Sequence, residues 1–190
     1  MVSFYTYLGL YLDDLRKRVS LSEFEDYFSI PHQTVKSHLA NLVKSKIILE
    51  EKKARFRFYQ LNLKNPLAVE YLALCEKERM IEFLGKNALF SRLYDSIAGY
   101  LKASSVLLFG SSVKSREYSD IDLLIMPKDR KIAEALKEIQ NTYSLKFHVV
   151  QTTEQDLTET LIVEIRKKHI ILNNHGYFIR VLYKNELGMV

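Results

Sequence analysis

The first 45 residues carry apolar side chains at helical spacing. The apolar start predicts a helix over roughly residues 3–18. Ser20 and Glu23 have the spacing of a capping box, which satisfies free backbone donors at a helix start, so a second helix is predicted there. A third helix is predicted over about residues 32–45, after a turn at Pro31. Its buried stripe falls at positions i, i+4, i+7 and i+8, which are Val35, Leu39, Leu42 and Val43.

A hairpin follows the third helix. Residues 47–49 predict a strand and residues 50–54 a charged turn. Residues 55–61 predict a half-buried strand because apolar and polar side chains alternate there. We therefore assign residues 1–63 to a first domain. Residues 64–84 predict a connecting helix that starts after a proline, which is well tolerated in a first helical turn.

Residues 85–190 form the second predicted domain, in which short apolar runs alternate with helical patterns. A helix is expected over residues 89–101. The apolar, β-rich run at residues 105–109 then predicts a strand. A second apolar run, at residues 120–126, predicts another. The chain as a whole is therefore expected to be α/β (α+β), with strands and helices mixed in its second half.

Charge is unevenly placed along the chain. Between residues 31 and 64 there are 8 basic and 2 acidic side chains. Such a stretch is the electrostatic footprint expected of nucleic-acid binding, although a solvated lysine-rich face gives the same count. The single cysteine, Cys75, rules out an internal disulfide and a cysteine-based zinc site. There is no long apolar run and no signal-peptide pattern, so we expect a cytoplasmic protein without membrane contact.

Three helices followed by a two-stranded hairpin are the layout of a winged helix-turn-helix. The stretch SIPHQTVKSHLANLVKSKIILEEKKARFRFYQLN resembles the winged-helix DNA-binding domains common in microbial regulators. The resemblance implies that the third helix enters the major groove of double-stranded DNA. Its short polar residues are candidate contacts to base edges: Gln33, Thr34, Ser37 and Asn41. Basic residues are candidate phosphate contacts: Lys36, Lys44, Lys46, Lys52, Lys53, Arg55 and Arg57. Winged helices that mediate only protein contacts are the alternative.

Two carboxylates stand in the second apolar run of the C-terminal half. In a strand, Asp120 and Asp122 share a face because side chains alternate with period two. Neighbouring carboxylates repel, and Mg²⁺ would compensate, since it binds one or two carboxylates together with substrate phosphates. The preceding strand ends in Gly110, Ser111 and Ser112. The glycine lets a backbone approach a triphosphate closely, and Ser111 offers it a hydroxyl and an N–H at a helix start.

The stretch LLFGSSVKSREYSDIDLLIM resembles the minimal type of the polymerase-beta-like nucleotidyltransferase superfamily. The resemblance extends over about residues 85–180 and implies a mixed sheet with flanking helices. It also implies a nucleoside triphosphate and Mg²⁺ as bound groups. Asp120 and Asp122 would be the catalytic metal ligands. The triphosphate would be bound by Gly110, Ser111, Ser112 and Lys114.

The sequence departs from the family pattern at two places. The loop between Ser111 and Asp120 is short, and Lys114 and Arg116 surround the position where the family has a glycine. His148 falls where active members carry a third acid. A histidine accepts a proton or ligates a metal, but it adds no negative charge to a metal site. His148 can equally be interpreted as a packed strand residue.

These features support two hypotheses of function. The first is a DNA-binding enzyme that transfers a nucleoside monophosphate from a nucleoside triphosphate to an unknown acceptor, such as a protein, a small molecule or a nucleic-acid end. The second is a non-catalytic transcriptional regulator whose transferase fold senses nucleotide or binds a partner, which the missing third acid favours. Winged-helix proteins frequently bind two half-sites as dimers, so a homodimer is also expected.

Overall fold

The computed structural model describes residues 3–54, 56–113 and 120–188. The chain divides into two compact units, one formed by Met1–Cys75 with Tyr183–Val190 and the other by Glu76–Leu182. Each unit holds a β-sheet with helices beside it. The expected α/β (α+β) fold class is confirmed.

The described residues form helices and strands joined by turns and loops. In chain order they are a 3₁₀-helix Phe4–Tyr11, β1 Arg18–Ser20, α1 Leu21–Phe28, α2 His32–Lys44, β2 Ile48–Lys53, β3 Phe56–Leu61, α3 Ala68–Lys86, α4 Ala88–Ile97, a 3₁₀-helix Ala98–Tyr100, β4 Ser105–Phe109, a 3₁₀-turn Ser111–Val113, β5 Ile121–Met126, α5 Arg130–Tyr143, β6 Phe147–Gln151, α6 Glu159–Lys167, β7 His169–Ile171, α7 His175–Leu182 and α8 Lys184–Leu187.

The start of the first unit differs from the predicted single helix over residues 3–18. The 3₁₀-helix ends at Tyr11, and Arg18–Ser20 form strand β1, which is antiparallel to β3. Val19 is fully buried and lies opposite Tyr59. The hydrogen bonds and burial that favour this strand come from residues about forty positions later. Local periodicity therefore could not indicate it.

The second and third predicted helices are confirmed. Ser20 Oγ accepts a hydrogen bond from the Glu23 backbone N–H at 3.3 Å, and the Ser20 N–H donates to Glu23 Oε2 at 2.7 Å. This reciprocal capping box starts α1. Helix α2 buries one side against the first unit, and its fully buried residues are Val35, Leu39 and Leu42.

The hairpin is longer than predicted. Strand β2 continues to Lys53, so the charged residues assigned to a turn lie in a strand, and the turn is at Ala54, whose φ is +53°. The sheet has the order β1-β3-β2, which leaves β2 at an edge. Ladder hydrogen bonds are made by the backbone, so an edge strand tolerates a charged, solvent-facing sequence. The prediction of a strand over residues 47–49 therefore ended this strand too early.

The sheet of the second unit has the order β6-β5-β4-β7. Strand β4 is antiparallel to both of its neighbours, whereas β5 and β6 are parallel. All five residues of β4 are buried, as a central strand covered on both faces requires. Two amphipathic helices complete this core, α4 through Phe90, Leu93 and Ile97 and α5 through Ile132, Leu136 and Ile139. Strands β4 and β5 thus form a rigid support for the residues at their ends.

Candidate nucleotide site and nucleic-acid face

The site predicted from the sequence lies where β4 ends beside the start of β5. Phe109, the last residue of β4, is in register with Asp122. Gly110 then leaves the strand with a φ of +77°, a left-handed conformation that favours glycine. A Cβ on Gly110 would lie 2.2 Å from Asp122 Oδ2. The glycine therefore makes room for the Asp122 carboxylate, a use that the sequence did not indicate.

The turn after Gly110 is held by the neighbouring strand. The Gly110 N–H donates to the Lys168 carbonyl at 3.2 Å, so this amide is engaged within the fold. Ser111 is exposed, whereas Ser112 is 2% exposed and faces the interior. Ser111 is thus the better placed of the two serines to meet a ligand. Lys114, like Arg116, lies outside the described residues.

The two acids of the motif are only partly covered. Asp120 immediately precedes β5, and the Asp122 side chain is 18% exposed, so the two flank Ile121, which is buried. The Ile121 N–H donates to the Lys146 carbonyl at 2.8 Å, which fixes the start of the strand. Both carboxylates thus occupy one end of β5, at the edge of the core.

His148 lies directly beside Asp122. The parallel pairing of β5 with β6 sets these two residues in register, and His148 Nδ1 is 3.0 Å from Asp122 Oδ1. An ionised aspartate can only accept hydrogen bonds, so His148 Nδ1 is the donor of this one. The side chain of His148 is 65% exposed, so it is not a packed residue of the core. The histidine at the expected position of a third acid therefore contacts the motif itself.

A cavity of about 770 Å³ opens next to the Gly110 turn. Its volume is within the usual range of small-molecule sites, which is roughly 300–1,000 Å³. The wall opposite Gly110 and Ser111 is one face of α6 and the residue after it: Glu159, Thr160, Val163, Glu164, Lys167 and Lys168. Sequence reasoning missed this wall, because nothing in the local pattern indicates which face of α6 borders the turn. Lys167 and Lys168 bring positive charge close to Ser111.

A buried ion pair supports the strand beside Gly110. Glu76 Oε1 accepts from Arg79 Nη1 at 2.6 Å and lies 3.1 Å from His169 Nε2, while Arg79 also donates to the His169 carbonyl at 3.3 Å. Burial alone would raise the pKa of Glu76, but the charges of His169 and Arg79 outweigh it and hold the pKa below its usual value. The pair fixes β7, whose preceding residue, Lys168, binds the Gly110 amide.

Asp120 and Asp122 are suited to a metal ion that also binds phosphate oxygens of a substrate. Among the described residues, no group of three or more His, Cys, Asp or Glu side chains converges as a metal site. Asp120 and Asp122 supply two carboxylates, and Mg²⁺ is usually bound by one or two carboxylates plus substrate phosphates. The left-handed Gly110 also leaves space for the Asp122 carboxylate. This donor set suits Mg²⁺ bound together with a triphosphate.

The residues predicted to contact DNA are exposed in the first unit. On α2 they are Gln33, Thr34, Ser37, Asn41 and Lys44, and on β2 they are Lys52 and Lys53. Arg55 lies outside the described residues. Arg57 forms a short ion pair with Glu50, and Arg18 lies 3.4 Å from Glu51. Glu50 and Glu51 thus neutralise part of the positive charge of the hairpin. The exposed lysines at the end of β2 leave that end positively charged.

No protein-family model matches the sequence, and a search of curated proteins finds no significant match. Among the helices of the described residues, none is long and apolar enough to cross a membrane.

Proposed function

We propose that the second unit binds a nucleoside triphosphate with Mg²⁺ and transfers the nucleoside monophosphate to an acceptor hydroxyl. This is the activity implied by the resemblance to minimal nucleotidyltransferases. The observation that supports it best is the Asp122 carboxylate, which packs against a left-handed Gly110 and lies beside His148. The Asp122 carboxylate keeps part of its surface exposed, so it is available to a phosphate-bound cation, which requires oxygen ligands.

Each residue of the site has a role in this proposal. Asp120 and Asp122 hold the cation, and Mg²⁺, when bound, polarises the α-phosphate and stabilises the departing pyrophosphate. The exposed Ser111 donates a hydrogen bond to the triphosphate, and Lys167 neutralises phosphate charge from the α6 wall. His148 holds the Asp122 carboxylate in its orientation through the 3.0 Å contact.

An α-labelled triphosphate tests the proposal. The full chain is incubated with Mg²⁺, labelled nucleotide and a panel of protein, small-molecule and nucleic-acid acceptors. We expect label in one acceptor class and its loss in Asp122→Asn. The matched control is Asp95→Asn, an exposed carboxylate on α4, which should leave transfer unchanged. Failure of the wild type to bind any nucleoside triphosphate with Mg²⁺ in calorimetry would reject the proposal.

A second candidate function is a nucleotide-responsive regulator that does not turn over. His148 favours it, because the residue paired with Asp122 adds no third negative charge to hold a second metal ion. This candidate predicts that Mg²⁺ and nucleotide change the affinity of the full chain for DNA while label is never transferred. Transfer that disappears in Asp122→Asn would exclude it.

We further propose that the first unit binds double-stranded DNA, with α2 in the major groove and β2 beside the phosphates. Its support is the exposed polar face of α2 together with exposed lysines at the end of β2. Fluorescence anisotropy of the full chain should show an affinity that falls steeply with salt. Lys52→Glu with Lys53→Glu should weaken binding and reduce the salt slope by roughly 2. The control Lys137→Glu, on α5, should change neither the affinity for DNA nor its salt slope. If the Lys52→Glu, Lys53→Glu double variant binds DNA as tightly as wild type, the proposed DNA-binding face is refuted.

A further inference from the structure

Helix α3 exposes a row of large aliphatic side chains. Leu67 is 53% exposed, Leu74 is 44% exposed and Ile81 is 61% exposed. The Leu67 carbonyl accepts the Tyr71 N–H at 3.0 Å, so Leu67 already belongs to the first turn of the helix. Single exposed aliphatic residues are ordinary on a protein surface. Three of them at intervals of seven form a seam along one side of α3, against which a second helix can pack.

The charges beside this seam identify its partner. Successive residues turn by roughly 100°, so Glu70 and Lys77 lie roughly 40° and 60° to the same side of Leu74. If a second α3 is related by a two-fold axis at Leu74, the helices run antiparallel and side chains on one edge stay on that edge. With a rise of about 1.5 Å per residue, Glu70 of one copy is then within about 1.5 Å of the level of Lys77 of the other.

The same two-fold axis also aligns the apolar residues. Leu74 meets its own copy, and Leu67 lies level with Ile81 of the other chain, because both are seven residues from the axis. Two Glu70–Lys77 pairs and two Leu67–Ile81 contacts therefore form together. A parallel pairing would place Glu70 and Lys77 of the second copy on the opposite edge of the seam, so the Glu70–Lys77 pairs would not form.

We propose that the exposed seam of α3 binds a second copy of this chain, as an antiparallel helix pair centred on Leu74. The proposal goes beyond the proposed nucleotide and DNA binding and does not depend on either. It commits the chain to a symmetric dimer in which each seam residue is used twice.

Sedimentation velocity of the full chain over a concentration series tests the proposal. We expect a reversible dimer. Leu74→Asp should raise its dissociation constant by roughly a hundredfold or more, because the two-fold axis removes two buried leucines at once. Tyr143→Asp is the matched control, since Tyr143 on α5 is also 44% exposed, and it should leave the dimer unchanged. Circular dichroism confirms that both variants are folded.

A charge exchange tests the antiparallel register. Lys77→Glu should weaken the dimer by roughly tenfold, since two attractive pairs become repulsive. Combining it with Glu70→Lys should restore the wild-type dissociation constant. A monomeric wild type, or a dimer that survives Leu74→Asp, would overturn the proposal. A dimer that Lys77→Glu does not weaken, or that the double exchange does not restore, would overturn the antiparallel pairing.

Discussion

Gly110→Ala is the substitution that most directly tests the contact between the end of β4 and β5. The new Cβ would lie 2.2 Å from Asp122 Oδ2 and 3.1 Å from Asp122 Cγ. A separation under 3.0 Å forces a neighbour to move. The Asp122 carboxylate must then turn away, and its hydrogen bond with His148 is lost. The backbone adds a separate cost because φ at Gly110 is +77°.

The size of the effect follows from these two costs. A left-handed conformation costs a non-glycine residue roughly 1–2 kcal/mol. The hydrogen bond between Asp122 and His148 contributes about 0.5–1.5 kcal/mol, with the lower end more appropriate because His148 is largely exposed. We therefore expect the free energy of unfolding to fall by about 1.5–2.5 kcal/mol. Urea denaturation followed by circular dichroism measures it, and calorimetry should show weaker binding of nucleotide with Mg²⁺.

Two comparisons separate the clash from a general effect of alanine. Gly99 has no neighbour within 4 Å of an added Cβ and no left-handed φ, so Gly99→Ala should change the free energy of unfolding by less than about 0.5 kcal/mol. In an Asp122→Ala background, Gly110→Ala should cost less than in wild type, because the clashing carboxylate is absent. Equal costs in the two backgrounds, or a Gly110→Ala variant as stable as wild type, would refute the reasoning.

Three further predictions concern the buried ion pair, a buried histidine and the residue beside Asp122. Glu76→Gln should lower the free energy of unfolding by about 3 kcal/mol because it removes the buried negative charge that the half-buried Arg79 guanidinium and the buried His169 ring contact. The control Glu82→Gln removes an exposed ion pair on the same helix and should change the free energy of unfolding by about 0.5 kcal/mol or less. If urea denaturation shows the same loss for Glu76→Gln and Glu82→Gln, the role of the buried Glu76 is contradicted. Burial lowers the pKa of His175 below its ordinary value of 6.5. Below that pH the unfolded chain therefore binds more protons than the folded chain, and the free energy of unfolding falls on acidification. Thermal melts of His175→Gln should lose this part of the pH dependence, and an unchanged slope would argue against it. His148→Asp, which adds a third carboxylate, should lower the Mg²⁺ concentration needed for nucleotide binding in calorimetry, whereas His148→Asn should not; identical behaviour would show that position 148 is remote from the cation.

Local sequence signals were sufficient where the determining contacts lie within a few residues. The capping box of Ser20 and Glu23 predicted the start of α1, and the spacing of Val35, Leu39 and Leu42 predicted the buried side of α2. A helix terminus depends on backbone donors three residues away, and a helical stripe depends on a period of 3.6 residues, so both are readable locally. The apolar run at residues 105–109 also predicted β4, because a short continuous apolar run is itself a local pattern of a buried strand.

For the candidate site, the sequence identified the residues at one end of the central strands but not how they meet. It indicated Gly110 and Asp122 separately, and only the antiparallel register of β4 with β5 shows that the glycine accommodates the carboxylate. The contact of His148 with Asp122 likewise requires the parallel pairing of β5 with β6, and the cavity wall requires one face of α6.

What the sequence by itself determined was the local elements and the chemical types of the candidate residues. The tertiary structure decided the strand at Arg18–Ser20, the extension of β2 to Lys53 and the neighbours of Asp122. The physical reason is the same in each case. Strand pairing and side-chain packing join residues that are far apart in the chain, and their free energies depend on register and burial that no local pattern records.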